Sequence, residues 1–332
     1  MPNKNEPLKS CKLCPRVCGI DRTSGKIGVC GENATVRISR ASLHMWEEPC
    51  ISGEKGSGTV FFTGCPLHCV FCQNRAISGG ENGVSVTEKE LADVFLRLQD
   101  MGALNINLVT PTHFVPEIVS ALEKAKTCGL CIPVIYNTGS YECVETLKML
   151  SGLVDIYLPD LKYFSSELSL RYSHAPDYFE IATRAIDEMV RQVGRFEFSR
   201  TSADCCDYIT HADSENDDEL AFSEIKKGVV VRHLILPGFT EDSKKIISYL
   251  YNKYGDDILI SIMNQFTPLP GLSEYPEINH RVTAKEYDEV IDYALSIGVT
   301  NAFIQDEGTA EESFIPDFYN FDLKKFLGQS KK

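Results

Sequence analysis

The sequence predicts an α/β protein, a partial (β/α)6-type TIM barrel carrying a Cys-rich N-terminal arm. Three observations lead there. Strand-like and helix-like segments alternate from about residue 55 to residue 306, and such alternation builds a parallel sheet with right-handed crossovers. About six of these units precede a final strand, which suggests a complete or partial barrel; an open doubly wound sheet is the competitor. Ahead of them, residues 1–50 read as irregular and hold a cluster of cysteines.

Each element has its own signal. TVFFTG (59–64) has the pattern of a short buried strand. Residues 87–102 read as a helix, opened by a Thr87–Glu90 capping box and ended by Gly102. LNINLV (104–109) is a strand, 115–129 a helix, and IPVIYN (132–137) a strand. Residues 141–152 read as a helix, VDIYLPD (154–160) as a strand, and a longer helical region follows to about Val193. VVVRHLIL (229–236), DILISIMNQ (257–265) and NAFIQD (301–306) are strands, separated by helices over 242–255 and 283–298. The domain reading is an arm over 1–52, a barrel over 53–306 and a tail over 307–332. Residues 202–224 carry eight carboxylates and no Lys or Arg, which reads as a solvated acidic insertion. A metal site from His211 with Cys205 and Cys206 is the minor alternative.

Composition narrows the function. The chain has 332 residues, 43% hydrophobic and 24% charged, with 33 Lys+Arg against 47 Asp+Glu and a net charge of −14. So acidic a protein is a poor nonspecific partner for nucleic acid or an anionic membrane. No apolar run reaches the ~18 residues of a membrane span, and the N-terminus lacks the apolar core of a secretory signal, so a cytoplasmic protein is expected. Thirteen cysteines in such a chain point to metal or redox chemistry rather than a disulfide framework.

The spacing C-x3-C-x2-C places Cys65, Cys69 and Cys72 in the loop after the first barrel strand. Three thiolates so close converge on one soft metal centre. On a four-iron cubane they leave one iron open, the mark of a working rather than a structural site. A zinc site completed from elsewhere and unliganded buried thiols are the alternatives. Other predicted strand ends are also polar: Thr110-Pro111-Thr112-His113, Asn137-Thr138, Asp160 with Lys162, Arg232-His233, Asn264-Gln265 and Gln305-Asp306. In a barrel these positions share one mouth, and Arg232 and Lys162 suit a carboxylate.

The triad, with Phe71 before its third cysteine, resembles the radical S-adenosylmethionine (SAM) superfamily. Through FFTGCPLHCVFCQN, YNTGSY, DIYLPDLKY, VRHLILPGF and MNQFTPLPG the chain most resembles proteins related to the pyruvate formate-lyase activating enzyme. The resemblance covers roughly residues 55–306. It implies a [4Fe–4S] cluster on Cys65, Cys69 and Cys72 whose open iron chelates the amino and carboxylate groups of SAM. One electron, from a donor such as flavodoxin or ferredoxin, cleaves SAM to methionine and a 5′-deoxyadenosyl radical. That radical takes hydrogen from a protein or small-molecule substrate, a glycyl radical enzyme being one candidate. Phe71 would pack near the adenine. Asp160, Lys162 and the Asn137-Thr138 turn match positions that contact SAM or a nearby monovalent cation. Where the superfamily often has Gly-Gly-Glu, this chain has Val-Thr-Pro-Thr-His, leaving Thr110 and Thr112 to accept the ammonium hydrogens. Asn137 stands where activases commonly have Asp. A noncatalytic iron–sulfur or zinc protein using the barrel as a binding platform is the competing class.

Cys11, Cys14, Cys18 and Cys30, spaced C-x2-C-x3-C-x11-C, fit a closed zinc knuckle, a second iron–sulfur cluster, or no metal at all. Cys128 and Cys131 read as core thiols. GEKGSG (53–58) precedes a strand instead of linking strand to helix, so it is no phosphate loop. Glu47-Glu48 reads as a solvated pair; related proteins carry a similar Glu-Glu-Pro, which makes a structural role at the barrel mouth the alternative. His44 and Trp46 read as ordinary packing, or as a cover over the site.

Overall fold

A computed structural model describes residues 6–80, 82–199, 223–305 and 316–328. Among the described residues ten strands run in chain order as β1 Arg37–His44, β2 Ser57–Phe62, β3 Val84–Ser85, β4 Ile106–Val109, β5 Val134–Thr138, β6 Ile156–Pro159, β7 Glu197–Phe198, β8 Ile225–Leu234, β9 Leu259–Met263 and β10 Ala302–Ile304. They form one sheet in the order β10-β9-β8-β6-β5-β4-β2-β1-β3, with β7 paired to β8. From β2 to β10 the neighbours are parallel. Six strand–helix units and a last strand are therefore present, and the sheet stays open as a partial barrel.

Side-chain alternation explains the curl. Successive strand residues face opposite sides. Ile135 of β5, Ile156 and Leu158 of β6, Val230 of β8 and Leu259 of β9 form one buried cluster. Their neighbours Tyr136, Tyr157, Val229, Val231, Ile260 and Ile262 join the larger core under the helices. The first set lines the lumen, where it meets Cys50 and Ile51 of the one-turn helix Pro49–Ser52. This arm segment therefore plugs the barrel from the end where β2 starts, since β1 runs antiparallel to β2 and pairs His44 with Ser57. Burying Ile51 contributes about 1.5–3 kcal/mol.

The helix over Glu88–Asp100 has the expected Thr87–Glu90 capping box. Three readings need correction. The helix expected over 141–152 is only Val144–Lys148, because Glu142 turns inward to accept hydrogen bonds from three hydroxyls. The long helical region before Val193 is two helices, Ser166–Ser173 and Tyr178–Val193, broken where His174 takes a left-handed backbone conformation just before Pro176. Cys128 and Cys131 are exposed rather than core thiols. They flank Gly129, whose positive φ turns the chain at the surface after the helix Val115–Thr127. Asp306, Cys205, Cys206, His211 and residues 202–222 of the acidic insertion lie outside the described residues. Among the described residues no helix is long and apolar enough to cross a membrane.

Candidate active site

The loop after β2 begins at Thr63-Gly64. Gly64 has φ +81°, and a Cβ there would stand 2.5 Å from the Cys30 carbonyl oxygen, so glycine lets the loop pass beneath the arm. Cys65, Cys69 and Cys72 follow. With Phe71, Thr110, Thr112, Asn137, Thr138, Asp160, Lys162 and Arg232 they line one cavity at the C-terminal ends of the strands. The structure thus brings together the triad and all eight residues read from the sequence as cofactor-binding. Gln265, His44, Trp46 and Glu47 line it too. Cys11, Cys14, Cys18 and Cys30 do not.

The triad is a soft donor set. Burial pushes the Cys65 thiol up to about 11 and Cys72 to about 12; the neighbouring triad sulfurs add to both, and Lys162 opposes both. Among the described residues no three His, Cys, Asp or Glu side chains gather closely enough for a single metal ion. A cluster spreads its ligands over separate irons, and thiolates are its usual donors. Phe71 is nearly buried and meets Tyr163, Tyr172 and Phe266 at 5.7–6.4 Å between ring centres.

Charged groups occupy the lumen below. Lys162 Nζ donates to Asp160 Oδ2 at 2.6 Å. Arg232 donates from Nε to Asp160 Oδ1 at 2.9 Å, from Nη1 to Glu47 Oε2 at 3.2 Å and from Nη2 to Asn137 Oδ1 at 2.6 Å. Burial would raise Asp160, but Lys162 and Arg232 outweigh it and hold its carboxyl below the usual range. Burial would likewise lower Lys162; Asp160 and Cys69 keep it charged. Glu48 is buried and Glu47 keeps only 9% of its side chain exposed, which overturns the solvated reading. Burial raises both carboxyls, and Arg232 opposes it. Arg232 is thus committed to the lumen network, and Lys162 is the cation whose charge reaches the cysteines.

Glu142 was missed because it sits inside an apparent helix. Its Oε1 accepts from Thr112 Oγ1 at 2.6 Å, Thr138 Oγ1 at 2.5 Å and Tyr136 OH at 3.2 Å. Its Oε2 is buried without a partner among the described residues. Burial raises its pKa to about 7 against those hydroxyls. A hydroxyl has one hydrogen and two lone pairs. Thr112 and Thr138 spend their hydrogens on Glu142 and so offer only acceptors to the cavity. Thr110 also lines it, with φ +56°. The two strand-end histidines turn away. His113 bonds Thr63 O at 2.7 Å, and burial, with Arg22 adding, lowers it to about 3; His233 bonds Leu161 O at 2.8 Å. Gln305 accepts from Asn264 N, a link within the strand ends.

The arm covers the back of the triad loop. Cys65 N donates to Cys30 O at 3.0 Å, Arg16 Nε donates to Pro66 O at 2.8 Å, and the His68 ring bonds Val29 O at 2.7 Å. Cys11, Cys14 and Cys30 are buried. The Sγ atoms of Cys18 and Cys30 each lie 3.5 Å from where a Gly28 Cβ would be. Arg22 is 1% exposed. It donates to His113 O and Asn33 O, and its Nη1 reaches Cys11 Sγ at 3.8 Å. Nothing in the sequence marked this arginine.

Comparison with known proteins gives the family. The Radical SAM superfamily profile matches residues 59–224, half of the chain. An uncharacterized protein of Methanocaldococcus jannaschii is 28% identical over 296 residues, 86% of this chain and 75% of its own. The pyruvate formate-lyase-activating enzyme of Streptococcus mutans is 24% identical over 201 residues, 57% of this chain and 62% of that enzyme. SuiB of Streptococcus suis, solved bound to S-adenosylmethionine, superposes with a TM-score of 0.45 at 14% identity, covering 74% of this chain and 48% of SuiB. The FeFe-hydrogenase maturase HydG of Carboxydothermus hydrogenoformans gives 0.48 at 12% identity, over 76% and 54%. The chain spans about half the length of these solved structures. By its profile match the chain belongs to the radical SAM superfamily, whose chemistry uses a [4Fe–4S] cluster and S-adenosylmethionine.

Proposed function

We propose that this protein reductively cleaves SAM on a [4Fe–4S] cluster held by Cys65, Cys69 and Cys72, and abstracts hydrogen from a protein or small-molecule substrate in the cytoplasm. The observation that carries the reading is the single cavity shared by the triad and the polar strand ends. A cluster held by Cys65, Cys69 and Cys72 would supply the one electron that reductive cleavage of SAM to methionine and a 5′-deoxyadenosyl radical requires. The chain's own residues bind and orient. Lys162 meets the SAM carboxylate; Thr112 and Thr138, their hydrogens held by Glu142, accept from the ammonium; Phe71 packs by the adenine. Thr110 and Asn137 complete the wall. Arg232 keeps Asp160 and Asn137 in place from below.

A glycyl radical enzyme is the substrate we favour, supported by the likeness to the Streptococcus mutans activating enzyme. A flavodoxin or ferredoxin supplies the electron. The test is anaerobic reconstitution with iron, sulfide, SAM and dithionite, followed by product analysis. 5′-Deoxyadenosine and methionine should form, and Cys69→Ala should form neither. Near-normal turnover in that variant would remove the triad from the chemistry. A glycyl radical signal on a candidate partner enzyme separates the activase from an enzyme acting on small molecules.

We further propose that Cys11, Cys14, Cys18 and Cys30 hold a second iron–sulfur cluster; their side chains do not gather around a single zinc ion. Arg22 supports this: its buried guanidinium reaches Cys11 Sγ, and the nearest carboxylate whose charge it feels, Glu32, stands outside ion-pair distance. A buried cation calls for a nearby anion, and metal-bound thiolates supply one beside Nη1. Elemental analysis of a protein lacking the triad should still find iron and sulfide, and a folded metal-free protein would refute it.

A further inference from the structure

The helix Ser166–Ser173 ends against the triad loop. Ser173 is fully buried, and its Oγ lies 2.9 Å from Cys69 Sγ. On its other side Tyr163, also fully buried, places its OH 2.7 Å from Ser173 Oγ. A thiolate has only lone pairs to offer, so Ser173 must donate its one hydrogen to Cys69. Tyr163 then donates to Ser173, and its hydroxyl also lies within reach of Cys69 itself. The relay runs Tyr163 to Ser173 to Cys69.

The backbone holds this relay in place. Arg16 donates to Ser173 O at 2.9 Å and to His174 O, while its Nε holds Pro66 O of the triad loop at 2.8 Å. Val70 N donates to Tyr172 O at 2.9 Å. Loop and helix end are therefore tied from both sides. The contact at Cys65 is of another kind, a backbone donor, Leu67 N, at 3.4 Å. A hydroxyl aimed at a cluster sulfur stabilises added negative charge, so it favours the reduced cluster and raises its potential.

We propose that Ser173, oriented by Tyr163, is a positioning residue that raises the reduction potential of the cluster through Cys69. The inference rests on the reading that the triad holds that cluster. It concerns the ease of reduction, separately from SAM binding or hydrogen abstraction.

The test is an anaerobic redox titration of the reconstituted full-length protein without SAM, followed by electron paramagnetic resonance. Ser173→Ala should retain its iron and shift the reduction equilibrium about tenfold toward the oxidised form, about 59 mV more negative for one electron. Tyr163→Phe should shift it less in the same direction. Ser173→Thr, which keeps the hydroxyl, should restore most of the potential. An unchanged or more positive midpoint in an iron-replete Ser173→Ala protein overturns the inference and leaves the cluster assignment standing. Should Ser173→Ala fail to load, Tyr163→Phe decides by the same sign. A wild-type protein that never binds a cluster overturns both readings.

Discussion

Two groups of cysteines meet back to back in this protein. Cys65, Cys69 and Cys72 follow a parallel strand and open onto a cavity lined by Lys162, Asp160 and three threonines. Cys11, Cys14, Cys18 and Cys30 lie behind the same loop, out of that cavity, with the buried Arg22 for company. Both groups are runs of closely spaced cysteines. The difference is topological: only the triad sits where a barrel gathers groups from several strands. An open metal site needs that convergence, and a closed one needs only its own ligands.

The largest expected effect tests this division. Cys72→Ala should lower 5′-deoxyadenosine formation at least about a thousandfold, ~4 kcal/mol in activation free energy. Cys14→Ala should change the metal content and leave dithionite-driven SAM cleavage within about tenfold of wild type. Anaerobic product assays on the two proteins, each checked for folding, decide it. Equal loss in both would erase the distinction between the groups.

The same contrast recurs in two buried arginines. Arg232 pairs with Asp160 and Glu47, both carboxylates. Arg22 donates to backbone carbonyls. Removing Arg232 strands buried charges, so Arg232→Ala should cost about 3–5 kcal/mol of stability. Arg22→Met leaves carbonyls without a donor and should cost about 1–3 kcal/mol in the metal-free protein. Denaturant titration of both variants measures the gap. A smaller loss for Arg232→Ala would mean that Glu47 and Asp160 are neutral or find other partners.

How far the sequence reached follows from the range of each cause. The strands and the triad loop were legible because periodicity and spacing are local. The shared mouth followed because a parallel barrel points its strand ends one way. Glu47 and Glu48 looked solvated because nothing nearby in sequence reveals that their segment plugs the lumen beneath Arg232, 185 residues away. Glu142 and Ser173 were hidden in helical patterns. Their roles depend on hydroxyls and a sulfur brought near only by packing, with Ser173 and Cys69 separated by 104 residues. The arm read as a separate piece, yet β1 belongs to the sheet and pairs with β2.

Glu142 sharpens the comparison from the cavity side, since its two threonine partners line the cavity and its charge also raises the thiol of Cys14. Burial lifts its pKa from 4.5 to about 7. The folded state therefore binds a proton more tightly than the unfolded chain. Its contribution is most favourable below about pH 4.5 and is lost as pH rises through 7. Glu142→Gln removes the charge and keeps an acceptor for the threonines. Its stability advantage over wild type should be least near pH 4.5 and grow to a plateau above pH 7, about 3–4 kcal/mol as an upper bound at 1.36 kcal/mol per unit. Denaturation midpoints at pH 5, 7 and 8 give the curve. A pH-independent difference would show that the carboxyl titrates alike in both states.

The smallest effect concerns the bond between the two groups. Arg16 lies inside the arm's cysteine run, yet its guanidinium holds Pro66 O in the triad loop and two carbonyls at the end of the helix Ser166–Ser173. Its head group is partly exposed, so water compensates some of what Arg16→Ala removes. The global cost should be about 1 kcal/mol, the usual net worth of such bonds when solvent can replace them. The local consequence should be more specific. Three anchors leave together, and a loop tied at few points opens at lower free energy than the molecule unfolds. Amide exchange at Val70 and Cys72 should therefore speed up about fivefold, the factor that 1 kcal/mol implies at 1.4 kcal/mol per decade. Amides of β5 and β6 should keep their protection. Arg16→Lys retains the charge but not the planar fork that reaches three carbonyls at once, so it should recover little. If exchange in the triad loop stays at the wild-type rate in Arg16→Ala, the arm packs against the loop without bracing it, and the two cysteine groups are neighbours only.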